Sequence, residues 1–320
     1  MKRNLFAFIL LFFSVCNSLW AQEANYAATD EFVQKLGPLD SLNVATIADT
    51  ITRNFPDKQN KARAIFYWIA NNIAIDTKAT RSNDKSKTDP VDVIRLRKTT
   101  ALGFSLLVQE MCSLANIRCL SVDGYLKYKA DDINNKADEI NHSWNVVQLG
   151  QSPEQWYYID AARASGYTDA KLSSFTRQFT GGYFFADRAL FNLDHYPDNE
   201  AWQLGSGGPK SIREFYALPV ISSAAYKYGL QKPEPRNGYI KTKVKVTTRF
   251  SFTYNNAVPI KNIFLVMGED KKQSKPEPVN FTDNGGIVSF TYPFKIADTY
   301  PVKIIADGQE LLQYFVEVDD

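Results

Sequence analysis

Histidine is scarce in this chain, with two in 320 residues, and cysteine nearly so, with three. Neither His142 nor His195 has another histidine or a cysteine close by in sequence. No metal-ligand spacing can be read, and no metal or cofactor is expected. An excess of one charge sign is lacking too. Lys and Arg number 37 against 35 Asp and Glu. That balance gives no electrostatic case for nucleic acid or for an anionic membrane surface. Beyond the first 21 residues there is no long uncharged apolar run, so stable membrane insertion is not expected. Internal repeats and low-complexity tracts are absent.

The opening stretch is different. "MKRNLFAFILLFFSVCNSLWAQ" has a positive start at Lys2 and Arg3, a short apolar run from Leu5 to Phe13, and a small residue at Ala21. It reads as a signal peptide, residues 1–21, cut near Ala21, and so predicts a secreted or periplasmic protein. Cys16 raises lipidation, but bulky Val15 before it argues against. Lys2 and Arg3 account for the whole charge excess, so residues 22–320 are formally neutral. Only Cys112 and Cys119 remain there. An oxidising compartment permits a disulfide between them; two small buried apolar residues are the plainer alternative.

The remainder reads as α+β. Residues 22–58 form a helical lead-in. Asp57 can cap a helix over "KQNKARAIFYWIANNIA", with Ala62, Ile65, Phe66, Ile69 and Ile73 on one face. "RSNDKSKTDP" breaks the chain. A short helix begins at "PVDVIRLRK", and a longer one covers "TALGFSLLVQEMCSLAN". "CLSVDGYLKY" alternates like a strand, "KADDINNKADEI" reads as a surface loop, and "HSWNVVQL" and "WYYIDAA" read as strands joined by "GQSPEQ". Helices packed on an antiparallel sheet thus occupy 59–235. After "PEPRNG", residues 236–320 alternate in five or more segments with turns such as "DNGG". These predict a small Ig-like β-sandwich.

One pair of residues carries chemistry. If the hairpin turn is centred on residue 151, His142 lies opposite Asp160, with Cβ atoms about 5 Å apart. A carboxylate there can orient an imidazole and stabilise its cation, as base and orienter do in a catalytic triad. A nucleophile commonly sits at a helix N-terminus. The helix start here is "KTTALGF".

At this point the chain resembles the transglutaminase-like superfamily. "RKTTALGFSLL" is similar to the family's Arg-Lys-Gly-Val-Cys-x-Gly-Tyr-Ser, with Arg97, Lys98, Gly103, Phe104 and Ser105 fitting. "NHSWNVV" resembles Asn-His-Ala-Trp-Asn. "WYYIDAARASG" resembles Trp-Tyr-x-Ile-Asp-Ala-Thr-Trp-x-x-Gly. "KARAIFYWIANNIAID" looks like the lead helix with its tryptophan, here Trp68. "YFFADRALFNLDHYPDNEAWQL" and "SIREFYALPVISSAAYKYGL" look like the kyphoscoliosis-peptidase-like branch. The resemblance covers residues 59 to 230 and implies a papain/transglutaminase-like core. It maps His142 and Asp160 to the catalytic His and the third triad member.

The same resemblance puts Ala101 at the nucleophilic Cys, Thr99 at a Gly, and Arg163 in the segment after Asp160. An alanine cannot attack, so a vestigial triad of Ala101, His142 and Asp160 is expected. Cys112 does not replace it, because eleven helical residues rise about 16 Å. Trp68, Thr99, Thr100, Trp144 and Arg163 are candidates for the cleft. His195 reads as a surface or structural histidine. Three functions remain open. The first is a non-catalytic domain that binds a peptide or protein in the relict cleft. The second is a cysteine-independent hydrolase or amide transferase using Thr100, Ser105 or water with His142 and Asp160. The third is a structural envelope protein.

Overall fold

The computed structural model describes residues 26–320 apart from 153–154, 170, 256–257 and 270–271. The signal-peptide reading, with Cys16 and the cut near Ala21, lies outside the described residues. The helices begin where short polar side chains can cap them. Asn43 accepts from Thr46 N–H ahead of Val44–Thr52, and Asp57 accepts from Asn60 N–H at 2.7 Å ahead of Lys58–Asn72. In the second of these, Ala62, Ile65, Phe66 and Ile69 are buried as their spacing predicts. Asp89 caps Pro90–Leu96, with proline in the first turn, and Arg97 ends that helix in the left-handed region at φ 55°. A two-residue parallel bridge, Ala74–Ile75 with Lys98–Thr99, leads into the central helix Ala101–Leu114.

That helix packs on a four-stranded antiparallel sheet. The strand order is Trp156–Ile159, His142–Gln148, Arg118–Leu126, His195–Pro197. Hydrogen bonds fix the docking. Asn145 Nδ2 donates to Ser105 O at 2.9 Å, and Ser105 Oγ pairs with Ser121 Oγ at 2.7 Å. Cys112 meets Cys119 at the other end. The helix therefore runs antiparallel to the strand Arg118–Leu126. Its N-terminus points toward the end of the sheet where His142 begins its strand.

Two expectations about the hairpin are corrected. Val147 pairs with Tyr157 and Gln148 with Trp156, so the hairpin centre is residue 152, not 151. Leu149 N–H bonds Gln155 O, closing the strands one residue later than the symmetric reading assumed. Nor does the second strand run through "DAA". It stops at Ile159, and Asp160 instead caps a one-turn helix, Ala161–Ser165, by accepting from Arg163 N–H at 2.8 Å. Moving the centre by one residue moves the register by two, which keeps every side chain on its face. The His142–Asp160 contact survives for that reason, but as a contact between a strand start and a helix cap.

The stretch "KADDINNKADEI" is more than a surface loop. Ala130 and Ile133 are buried against Val220, and Ala130 N–H donates to Gln313 Oε1 at 3.0 Å. The C-terminal region is a two-sheet sandwich. One sheet orders Gln231–Glu234, Thr247–Thr253, Ile287–Pro293, Phe281–Asp283. The other orders Tyr239–Lys243, Gln309–Asp319, Asp298–Ala306, Ile263–Met267, Glu277–Pro278. Strand pairing begins before residue 236, since Gln231–Glu234 joins the first sheet and Val220–Ile221 pairs with Leu312 and Gln313. The "DNGG" turn forms as its composition demands. Gly285 and Gly286 both take positive φ, and Asp283 Oδ1 accepts from Gly286 N–H. Among the described residues no helix is long and apolar enough to cross a membrane.

Candidate functional site

The strand Arg118–Leu126 brings two histidines together. Gly124 pairs with His142 on one side and with Pro197 on the other, and Leu126 pairs with His195. The offset of two residues puts both imidazoles on one face of the sheet. Gly124 is required there. A Cβ would meet Tyr196 O at 2.3 Å and the Trp144 ring at 2.5 Å. The missing side chain lets Trp144 pack nearly parallel to His142, at 6.3 Å between centroids, and edge-on to His195 at 5.2 Å. His195 also stacks on Phe191 at 3.7 Å.

Asp160 joins the two histidines. Its Oδ2 lies 2.6 Å from His142 Nε2 and 3.0 Å from His195 Nε2, while Oδ1 accepts from Arg163 N–H. All three side chains are buried. Burial alone would raise the Asp160 pKa, but the two imidazoles overcome it and hold the carboxyl well below the usual range. Asp160 is therefore ionised. Burial pushes the His195 imidazole down, against the pull of Asp194 and Asp160. The other nitrogen of His142, Nδ1, has the Tyr128 hydroxyl at 3.5 Å, and that tyrosine is half exposed. Asp194 Oδ2 sits 3.5 Å from His195 Nδ1 and accepts from Tyr226 OH at 3.1 Å.

At the helix start, Ala101 is the first helical residue and is partly exposed. Thr100 occupies the cap position without a side-chain cap, and its Oγ1 is buried with no hydrogen-bond partner. Thr99 is buried, and its hydroxyl donates to Lys87 O at 3.1 Å. Ser105 is committed to the packing, donating to Leu102 O and pairing with Ser121. Cys112 and Cys119 are free thiols, both buried.

Residues 45–161 match the sequence model of the transglutaminase-like superfamily. The chain carries a transglutaminase-like domain. It is 32% identical to human kyphoscoliosis peptidase and 31% identical to the mouse protein over 212 residues, which is 66% of this chain and 31% of each relative. Hillarin of Drosophila melanogaster is 28% identical over 180 residues, 53% of this chain and 22% of that protein. The chain thus spans about a third of the length of these two curated relatives.

Within the transglutaminase-like domain, several sequence expectations need correction. His195 is not a surface residue. It lies in the site as a second partner of Asp160, brought there by a strand of three residues that sequence periodicity cannot reveal. Trp68 does not line a cleft. It is fully buried, its Nε1–H donates to Gly37 O, and Arg97 packs over its ring at 5.1 Å. Trp144 is also buried, behind the histidines, and Thr99 lies under the helix start rather than open to a ligand. Thr100 and Arg163 are partly exposed. The Arg163 side chain turns to Tyr183, with Nε donating to the hydroxyl at 3.2 Å. Tyr128 was missed: it is the last residue of the stretch read as a strand, and the strand stops two residues earlier, at Leu126. The arrangement can hold an ionised carboxylate against two imidazoles and present His142 Nδ1 toward Tyr128.

Proposed function

We propose that this is a secreted or periplasmic transglutaminase-like protein whose domain has lost its acyl-transfer chemistry. It binds a peptide or protein in the relict cleft near Ala101, His142 and Asp160. The observation that carries this reading is the methyl group at the first residue of the central helix, where the resemblance calls for a thiol. The base and its orienter are kept, and the nearby hydroxyl of Ser105 is spent on packing. An imidazole–carboxylate pair without a nucleophile has no group to activate for covalent attack.

The competing reading is a cysteine-independent hydrolase or amide transferase. Thr100 favours it, since its hydroxyl has no partner. The test is direct. The wild-type protein is assayed for release of peptide fragments and for incorporation of a fluorescent amine into casein. No turnover above background is expected. Turnover that disappears in both His142→Ala and Thr100→Val establishes the enzyme instead. For binding, polypeptides that copurify with wild type and are lost with Ala101→Trp support the cleft. Identical copurification from both overturns it. N-terminal sequencing of the exported protein should begin near Gln22.

A further inference from the structure

We propose that His142, His195 and Asp160 form a binding site for a zinc-type divalent cation, with the two Nε2 atoms and Oδ2 as donors. The inference goes beyond the relict-cleft reading and does not depend on what occupies the cleft. The three donor atoms lie within 4.8 Å of one another, on three buried residues. Two imidazole nitrogens and one carboxylate oxygen suit zinc; magnesium and calcium prefer oxygen alone.

Donor accounting supports the site. A neutral imidazole has one N–H. His195 faces a carboxylate oxygen on each side, Asp194 at 3.5 Å from Nδ1 and Asp160 at 3.0 Å from Nε2. Whichever nitrogen holds the proton, the other turns a lone pair toward a carboxylate in a buried place, which is unfavourable. A cation between Nε2 and Asp160 removes the conflict. The proton sits on Nδ1, which faces Asp194 Oδ2 at 3.5 Å and otherwise has no hydrogen-bond partner, and Nε2 becomes a ligand. An acid behind a ligating histidine fixes its tautomer in many metal sites. His142 has no such conflict, but its Nε2 faces the same carboxylate oxygen at 2.6 Å, and the Tyr128 hydroxyl, 3.5 Å from Nδ1, can accept the proton when Nε2 turns ligand.

The fit asks for little movement. Two ligands about 2.0 Å from a tetrahedral zinc stand about 3.3 Å apart. Asp160 Oδ2 is 2.6 and 3.0 Å from the two nitrogens, so these two separations open by less than about 1 Å, and the two nitrogens, within 4.8 Å of each other, close by up to about 1.5 Å. Asp160 Oδ1 stays fixed on Arg163 N–H while Oδ2 turns to the ion. Arg163 and Lys127 already interact with Asp194. A dication enters a partly compensated pocket, so its affinity is lower than that of a dedicated structural zinc site.

The full chain is stripped with a chelator and titrated with zinc chloride near neutral pH. Binding is followed by calorimetry and by metal content after gel filtration. About one zinc per chain and a rise in Tm are expected. His195→Phe keeps an aromatic ring between Phe191 and Trp144 but removes the donor; His142→Gln tests the other imidazole. Each variant should still unfold cooperatively in chelator, at a Tm lowered by the loss of one Asp160 partner, and should lose both the zinc and the zinc-dependent rise in Tm. Cobalt in place of zinc should give the visible absorption of a low-coordinate site in wild type only. Wild type that retains no zinc overturns the proposal, as does zinc retained equally by both variants. If His195→Phe does not fold, His142→Gln and the cobalt spectrum decide.

Discussion

Asp160 does three jobs with two oxygens: it caps a helix, holds His142 and holds His195. The second was legible, because "NHSW" and "YYID" bring an imidazole and a carboxylate to neighbouring strands; the cap was not, since "WYYIDAA" reads as one strand and the helix after Asp160 has a single turn. The third was not, since nothing local in "LDHYP" says which strand His195 joins. The residue that decides chemistry is Ala101. In Ala101→Cys the new thiol stands at the start of a fourteen-residue helix. Its pKa should fall below the free value of about 8.5. Alkylation by iodoacetamide near neutral pH should be faster than for a free thiol, and slower again when His142→Ala is added. Equal rates in the two variants would show that His142 does not reach position 101. Lys127 makes a second residue-level case. It is buried, donates to Phe215 O at 2.9 Å, and burial pushes its pKa down to about 7, against Asp194 and Asp132. The unfolded chain has lysine near 10.4. Between these values the unfolded state binds more protons, so the burial penalty is full below about pH 7 and gone above about pH 10. Lys127→Met should therefore raise Tm relative to wild type near pH 7, with the gap closing toward pH 10. A variant less stable at every pH would show that the hydrogen bond to Phe215 outweighs the burial.

Among elements, the helices were the most legible, because caps and 3.6-residue spacing are local signals. The hairpin register was off by two because a loop's length does not reveal where its closing hydrogen bond forms. The junction between the bridge Lys98–Thr99 and the central helix holds a more telling detail. Thr99 stands where the resemblance expects glycine, and Gly103 lies one turn on. A Cβ on Gly103 would come 2.0 Å from Thr99 Oγ1 and 2.9 Å from Thr99 Cβ. Thr99 has no easy escape, being buried and hydrogen-bonded to Lys87 O. The two positions are thus coupled: a side chain at one demands none at the other. Gly103→Ala should lower stability by about 1–3 kcal/mol, the usual range for overpacking. In a Thr99→Gly background the same substitution should cost much less, because glycine removes the clash and alanine is the better helix former. Chemical denaturation of the four proteins gives the coupling energy. Additive effects would mean that the helix start shifts to make room, and that Thr99 does not set its position.

Over the whole molecule, the two halves read from sequence are not independent. One buried cluster includes Val33, Phe66 and Phe104 together with Phe250, Leu312 and Val318. Backbone pairing crosses the expected boundary: Val220 and Ile221 pair with Gln313 and Leu312, and Asn255 N–H bonds Tyr228 O at 2.9 Å. Side chains do the same, with Ser222 Oγ donating to Glu310 at 2.8 Å and Gln313 accepting from Ala130 N–H. A composition shift at "PEPRNG" could not reveal these links, since pairing across a linker is set by packing rather than by local propensity. Cutting at residue 235 would strip Val220–Ile221 of its partner strand and leave Gln231–Glu234 without a sheet. The transglutaminase-like part and the sandwich should therefore unfold together. Tryptophan placement makes this measurable. Trp68, Trp144, Trp156 and Trp202 all precede the sandwich, so fluorescence of a chain of residues 22–320 reports the first part alone, whereas far-ultraviolet circular dichroism reports both. The two denaturation curves should coincide with one midpoint, the mark of a single cooperative unit. A chain ending at residue 235 should show neither transition. Separate midpoints, or a cooperative fluorescence transition in the truncated chain, would mean that the shared strands only dock a domain already stable on its own.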